Sequence, residues 1–191
     1  MPPPHRTAAR VAPANPILHH RFGLFLEEAQ RTNEALIEVR EAIRIAPNAP
    51  DPHGTLGRMF ARRGDFSGAM AEFRTALDLD PGRPAAHNDL GRILATHPAV
   101  KMRNGTEAVR HGLQACSLSA GQNPEYLDSL GLAFAESGQS DKAVETEEAA
   151  LRLARKVGRP KLEHRISRHL ENLRERRTLE FNPAEEWSER R

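Results

Sequence analysis

PDPHGTLGRMFARRGDFSGAMAEFRTALDLDPGR, residues 50–83, decides the fold. Leu56-Gly57, Phe60, Ala69, Phe73, Ala76 and Pro81 mark a large-small pair, an aromatic, two alanines with a second aromatic between them, and a closing proline. Sliding that spacing back 34 residues lands on Phe22-Gly23, Leu26, Ala35, Val39, Ala42 and Pro47. Sliding it forward gives Leu90-Gly91 and Leu94, then Ala108 and Ala115 after a five-residue insertion. A fourth copy supplies Leu130-Gly131, Phe134, Ala143 and Ala150. Self-similarity at this period marks units that cannot bury their apolar faces alone and must stack on neighbours.

The residue types fit pairs of antiparallel helices. A glycine inside a helix costs about 1 kcal/mol against alanine, so Gly23, Gly57, Gly91 and Gly131 in register imply close helix contact. Ala35, Ala69, Ala108 and Ala143 are the small residues expected to face them. Asn33, Ser67, Thr106 and Asp141 stand two residues before those alanines and are expected N-caps. Gly64 and Gly138 fall where each first helix should end in a left-handed residue.

On these positions the chain resembles the tetratricopeptide repeat (TPR) family from about residue 16 to residue 157. The resemblance implies an all-α, right-handed α-solenoid of antiparallel helix pairs. Its repeats are 16–49, 50–83, 84–123 with the insertion, and 124–157. Residues 1–15 are proline-rich, aperiodic and expected to be disordered. In repeat three, His97-Pro98 stops the first helix, and Asn104-Gly105 is a turn signal before Thr106. Repeat four carries Glu147 where the family usually has an aromatic. A helix over 158–178, with Leu162, Ile166, Leu170 and Leu173 as its apolar stripe, is the expected cap, and 179–191 a flexible tail. The segment from Arg103 through Val144 also resembles a TPR variant at the carboxy-terminal end of larger bacterial chains.

Composition narrows the function. The 191 residues are 38% hydrophobic and 5% aromatic, modest values that suit an elongated core. A net charge of +2 is nearly balanced and argues against a nucleic-acid partner. One cysteine, Cys116, excludes an intrachain disulfide and sits in a helical apolar pattern, as a buried thiol would. No apolar run is long enough to span a membrane and the N-terminus has no secretory signal, so the expected location is the cytoplasm.

No nucleophile motif, phosphate-cradling loop or HExxH is present, so no catalytic residue, cofactor or metal is expected and the chain does not read as an enzyme. Glu27-Glu28 and Glu147-Glu148 are adjacent pairs that splay around a helix instead of converging. His19, His53 and His87 recur every 34 residues. Helix spacings of about 8–10 Å keep equivalent residues of successive repeats from sharing one ion, so they read as packing residues. The basic stretch Arg152–Arg177 is interspersed with Glu163, Glu171 and Glu175 and holds no aromatic to stack a base.

In TPR proteins, first-helix positions 2, 5, 6, 9, 12 and 13 line the concave side. The resemblance therefore implies a partner-binding groove of Glu27, Arg58, Arg62, Asn88, Arg92 and Asp128, with the Lys/Arg and Asn set by which some members clamp a peptide's terminal carboxylate incomplete, so that chaperone-tail binding does not carry over. Arg58 and Arg92 are expected side by side, facing a carboxylate of the partner. The leading reading is a non-catalytic scaffold that holds a partner peptide or helix in this groove. Two others stand beside it: a regulatory or targeting module of a larger, possibly enzymatic, bacterial protein, and RNA binding through the basic C-terminal helix.

Overall fold

The computed structural model describes residues 14–175. Among them lie nine α-helices, one 3₁₀ turn and no strand: α1 (Pro16–Glu28), α2 (Thr32–Ile45), α3 (Pro50–Arg62), α4 (Phe66–Leu79), α5 (Pro84–Thr96), the 3₁₀ turn (Val100–Met102), α6 (Gly105–Leu118), α7 (Pro124–Glu136), α8 (Ser140–Lys156) and α9 (Pro160–Arg174). They form two compact units that divide after Pro81, α1–α4 in the first and α5–α9 in the second. Within them α1 pairs with α2, α3 with α4, α5 with α6 and α7 with α8, while α9 packs on α8.

Local chemistry sets the helix boundaries. The first helix of every repeat, and α9, opens on a proline, whose fixed φ suits the first turn and whose missing N–H is no loss there. Asn15 and Asn123 cap α1 and α7 through their side chains. The α3 and α7 ends are closed by Gly64 at φ 78° and Gly138 at φ 76°; in repeat one Gln30 takes the same turn at φ 62°. A left-handed non-glycine is uncommon, and here the Gln30 and Arg31 amides still reach the Glu27 and Leu26 carbonyls at 2.9 and 2.8 Å.

The expected caps of the second helices are displaced. Asn33, Ser67, Thr106 and Asp141 are each the second residue of their helix, where a side chain no longer caps. The true cap positions are Arg31, Asp65, Asn104 and Gln139. Asp65 accepts from the Gly68 amide at 2.9 Å and Asn104 from the Glu107 amide at 3.1 Å. Asn104 is thus a cap itself, with no further turn between it and Thr106. The insertion before it is pinned: Asn104 N–H reaches the Leu94 carbonyl at 2.9 Å, and Arg103 holds the His97 carbonyl and Glu136 at 2.7 and 3.1 Å.

The glycine register is a contact register. A Cβ built on Gly57 would lie 2.7 Å from the Phe73 ring, and one on Gly23 2.6 Å from a Val39 methyl. The first unit's core joins Phe22, Leu26, Ala35, Leu36, Val39, Leu56 and Met59, with Ile43 and Phe60 at its edge. Each such large side chain contributes roughly 1.5–3 kcal/mol on burial. In the second unit Leu130, Phe134 and Ala143 make one cluster, and Ala150 and Ala154 make another with Leu162, Ile166 and Leu170 of α9. Leu173 packs at the edge of the former.

Candidate functional site

The groove positions differ in the two units. In the first, α1 and α3 present Glu27 and Arg58 half-buried, with Arg21, Glu28 and Arg62 exposed. Arg62 Nη1 forms a short ion pair with Glu27. Behind them His20 Nε2 meets Thr55 Oγ1 at 2.9 Å, and Arg58 donates to the same hydroxyl at 3.3 Å. This is a mixed-charge surface within reach of a partner.

In the second unit the equivalent side chains are closed off, which corrects the expected groove. Asn88, Arg92 and Asp128 are all buried, Arg92 and Asp128 with no exposed surface at all. The partners of Arg92 and Asp128 come from helices distant in sequence. Arg92 Nη2 donates to Asp128 Oδ2 at 2.7 Å and Nη1 to Ser129 Oγ at 3.3 Å. Arg165 Nη2 of α9 reaches the same Asp128 oxygen at 3.0 Å, and His169 Nδ1 meets Oδ1 at 2.8 Å. Asn88 turns to Asp89, 3.1 Å away. Arg92, Asp128, Arg165 and His169 hold α5, α7 and α9 together and present nothing to a ligand. Arg165 and His169 lie one residue before Ile166 and Leu170, so their face of α9 turns inward beside the apolar stripe.

Glu147 completes the cluster. It occupies the place in α8 that Phe73 has in α4: a Cβ on Gly131 would lie 2.7 Å from the Glu147 side chain, as one on Gly57 would from Phe73. Neither Glu147 oxygen accepts a hydrogen bond, and His169 Nδ1 stands 3.9 Å from Oε1. Burial, and then the Asp128 charge, push its carboxyl well above the ordinary range. For Asp128 burial acts the same way, but the Arg165 and Arg92 guanidiniums, with His169, outweigh it and hold the carboxyl well below its usual value.

Asp128, Glu147 and His169 bring three metal-ligating atoms within 4.8 Å of one another. The donor set does not fit a metal, because both Asp128 oxygens are already engaged by two guanidiniums and an imidazole. A divalent cation there would face two buried positive charges at close range. The cluster is a structural ion network. Sequence signals for it existed: an acid in an apolar helix column, and a basic pair four residues apart bordering an apolar stripe.

The remaining candidates are absorbed by packing. His19, His53 and His87 are buried, and each pairs with the second helix of its own repeat. Cys116 is half-buried, and burial raises its thiol to about 11, so it is no nucleophile. In the basic end, Arg155 pairs with Glu163, Arg159 with Glu125 and Arg174 with Glu148. None of the described helices is long and apolar enough to cross a membrane.

Helix pairs on a glycine–aromatic register, repeated with an opening proline, define an all-α array of tetratricopeptide type, an α-solenoid by class. The chain is similar to the tetratricopeptide-repeat family: a family model described as TPR repeat matches residues 57–97. Solved structures of the same fold span most of the chain. YrrB, described as a TPR protein with an unusual peptide-binding site, is 18% identical over 88% of this chain and 84% of its own, with a TM-score of 0.67. MamA 41-end from Desulfovibrio magneticus RS-1 is 21% identical over 84% and 93%, with a TM-score of 0.61. PilF of Pseudomonas aeruginosa is 21% identical over 87% and 78%, with a TM-score of 0.63. No curated protein matches the sequence significantly.

Proposed function

We propose that the chain is a non-catalytic protein-interaction scaffold whose partner segment lies along the groove positions of α1 and α3. The carrying observation is the difference in burial: Glu27, Arg58 and Arg62 remain within reach, while Asn88, Arg92 and Asp128 are spent on internal bonds. The likeness to YrrB, a TPR protein with an unusual peptide-binding site, supports binding of an extended peptide.

The chemistry of the surface describes its ligand. Guanidinium forks at Arg58 and Arg62 suit a carboxylate, and Glu27 with Glu28 suits a basic residue one or two positions along. A partner that supplies both exchanges the Arg62–Glu27 pair for intermolecular bonds without leaving either charge bare. Selection from a displayed random peptide library tests this. Enriched peptides carry adjacent acidic and basic residues, and the Arg58→Ala/Arg62→Ala variant binds them at least about tenfold more weakly. Lys156→Ala/Lys161→Ala, at the exposed basic end, leaves binding unchanged. The opposite pattern would move the site to α8–α9 and favour the nucleic-acid reading.

A further inference from the structure

α1 presents to solvent a face that its counterparts in later repeats bury. Leu18, Arg21 and Phe25 stand at the third, sixth and tenth places of repeat one. In α3 the same places hold Pro52, Thr55 and Met59, all buried on the helix that α2 packs against, with His20 of α1 bonded to Thr55. In α7 they hold Tyr126, Ser129 and Ala133, the last two also buried. In α1, by contrast, Phe25 is 37% exposed, Arg21 is exposed and Leu18 is half-buried. Ile17, 62% exposed, and the half-buried Leu24 border them. Side chains at these places suit a stacked neighbour, and in repeat one they are open to a partner.

Two charges on this face describe the partner that fits it. Arg21 and Glu28 are both exposed, seven residues or about two turns apart, and project from the same side of α1. Neither has an ion-pair partner among the described residues. Opposite charges set evenly about the midpoint between Leu24 and Phe25 make the face complementary to itself. A second α1 laid antiparallel across it, on a two-fold axis at that midpoint, brings Arg21 of each copy to Glu28 of the other. At 1.5 Å per residue, each ion pair lies about 5 Å along the helix from the axis. The two Phe25 rings meet beside the axis, flanked by Leu24 and its copy. A parallel arrangement would set Arg21 on Arg21 and Glu28 on Glu28, so the charges also fix the direction.

We propose that this face of α1 is a homodimer interface, in which two copies of the chain pair their α1 helices antiparallel through Arg21–Glu28 ion pairs around Phe25. One helix face on each side is smaller than the roughly 800 Å² per partner of a standard interface, so the dimer is weak and forms as concentration rises. Salt weakens it further, because both ion pairs stand at the edge of the contact. Of the groove residues only Glu28 takes part. Glu27 is turned about 100° round the helix from it, and the pairing draws on neither Arg58 nor Arg62.

Sedimentation equilibrium of the full chain over a concentration series reads the mass directly. The wild type rises from 21.3 kDa towards twice that mass. Arg21→Glu and Glu28→Arg each set like charges across the axis and weaken the dimer at least about tenfold. The double variant Arg21→Glu/Glu28→Arg exchanges the charges and restores it. An equimolar mixture of the two single variants also dimerises, because every facing pair is again opposite, and this recovery shows that each single variant is folded. Arg58→Ala/Arg62→Ala leaves the mass curve unchanged, so the dimer and the peptide groove stand or fall separately. A wild type that stays at 21.3 kDa throughout the series overturns the proposal. A dimer that tolerates either single reversal, or that neither the double variant nor the mixture restores, overturns it equally.

Discussion

Arg92 of α5 and Asp128 of α7 form an ion pair at 2.7 Å in which neither side chain is exposed. Such a pair adds little net stability over an apolar isostere but is costly to break, because the surviving charge stays buried. Asp128 also holds Arg165 and His169, so its removal strands two guanidiniums. Asp128→Ala should lower stability by about 3–5 kcal/mol, read as a shift in the urea midpoint with unchanged slope. Glu41→Ala, which breaks the exposed Arg44–Glu41 pair, should not move the midpoint measurably. The folded Asp128 carboxyl is held below its unfolded value, so its contribution is complete above about pH 4 and fades as pH falls further. Equal midpoints for the two variants would mean that the network is not closed in solution.

Glu147 behaves in the opposite way. Its carboxyl is raised in the folded state, so the folded chain holds a proton there that the unfolded chain has released above about pH 4.3. The penalty therefore grows as pH rises from that value and is absent below it. Glu147→Gln should be more stable than wild type by about 1 kcal/mol or more at pH 7, with the gain vanishing towards pH 4. A gain independent of pH would assign the effect to packing and not to ionisation.

Two glycines of α3 should respond to alanine with opposite signs. Gly57 faces the Phe73 ring at a projected 2.7 Å, and Phe73 is fully buried and cannot swing aside. Gly54, three residues earlier, has nothing within 4 Å of its projected Cβ. Gly54→Ala should stabilise by up to about 1 kcal/mol through helix propensity, and Gly57→Ala should destabilise by about 1–3 kcal/mol through overpacking. Thermal melts that move the same way for both would contradict the contact register.

The cap positions are testable in the same repeat. Asp65→Ala removes the bond to the Gly68 amide and should cost about 1 kcal/mol. Ser67→Ala lies inside α4, exposed, and should change the melting temperature little. A larger loss at Ser67 would restore the cap to the place that the repeat spacing alone suggests.

Much of this protein could be read from residue spacing because a repeat is a local object. Gly23 against Val39 and Gly57 against Phe73 are contacts within one helix pair, and the 34-residue translation copies them. The opening prolines and the left-handed Gly64 and Gly138 act through their own backbone angles, so they too were legible before any packing was known. The caps were displaced by two residues because Ser and Thr near a helix start satisfy the spacing whether or not their backbone has left the helix. Asp65 and Asn104 are caps by conformation, which spacing does not carry.

The state of the groove positions was decided only by tertiary structure. Arg58 and Arg92 are equivalent in the repeat, yet one stays within reach and the other is sealed. What separates them is Asp128, which lies 36 residues beyond Arg92, with Arg165 and His169 a further 37 and 41 residues on. Burial of a charge depends on whether an opposite charge arrives with it in the same low-dielectric place. That is a property of three helices meeting, and no single repeat encodes it.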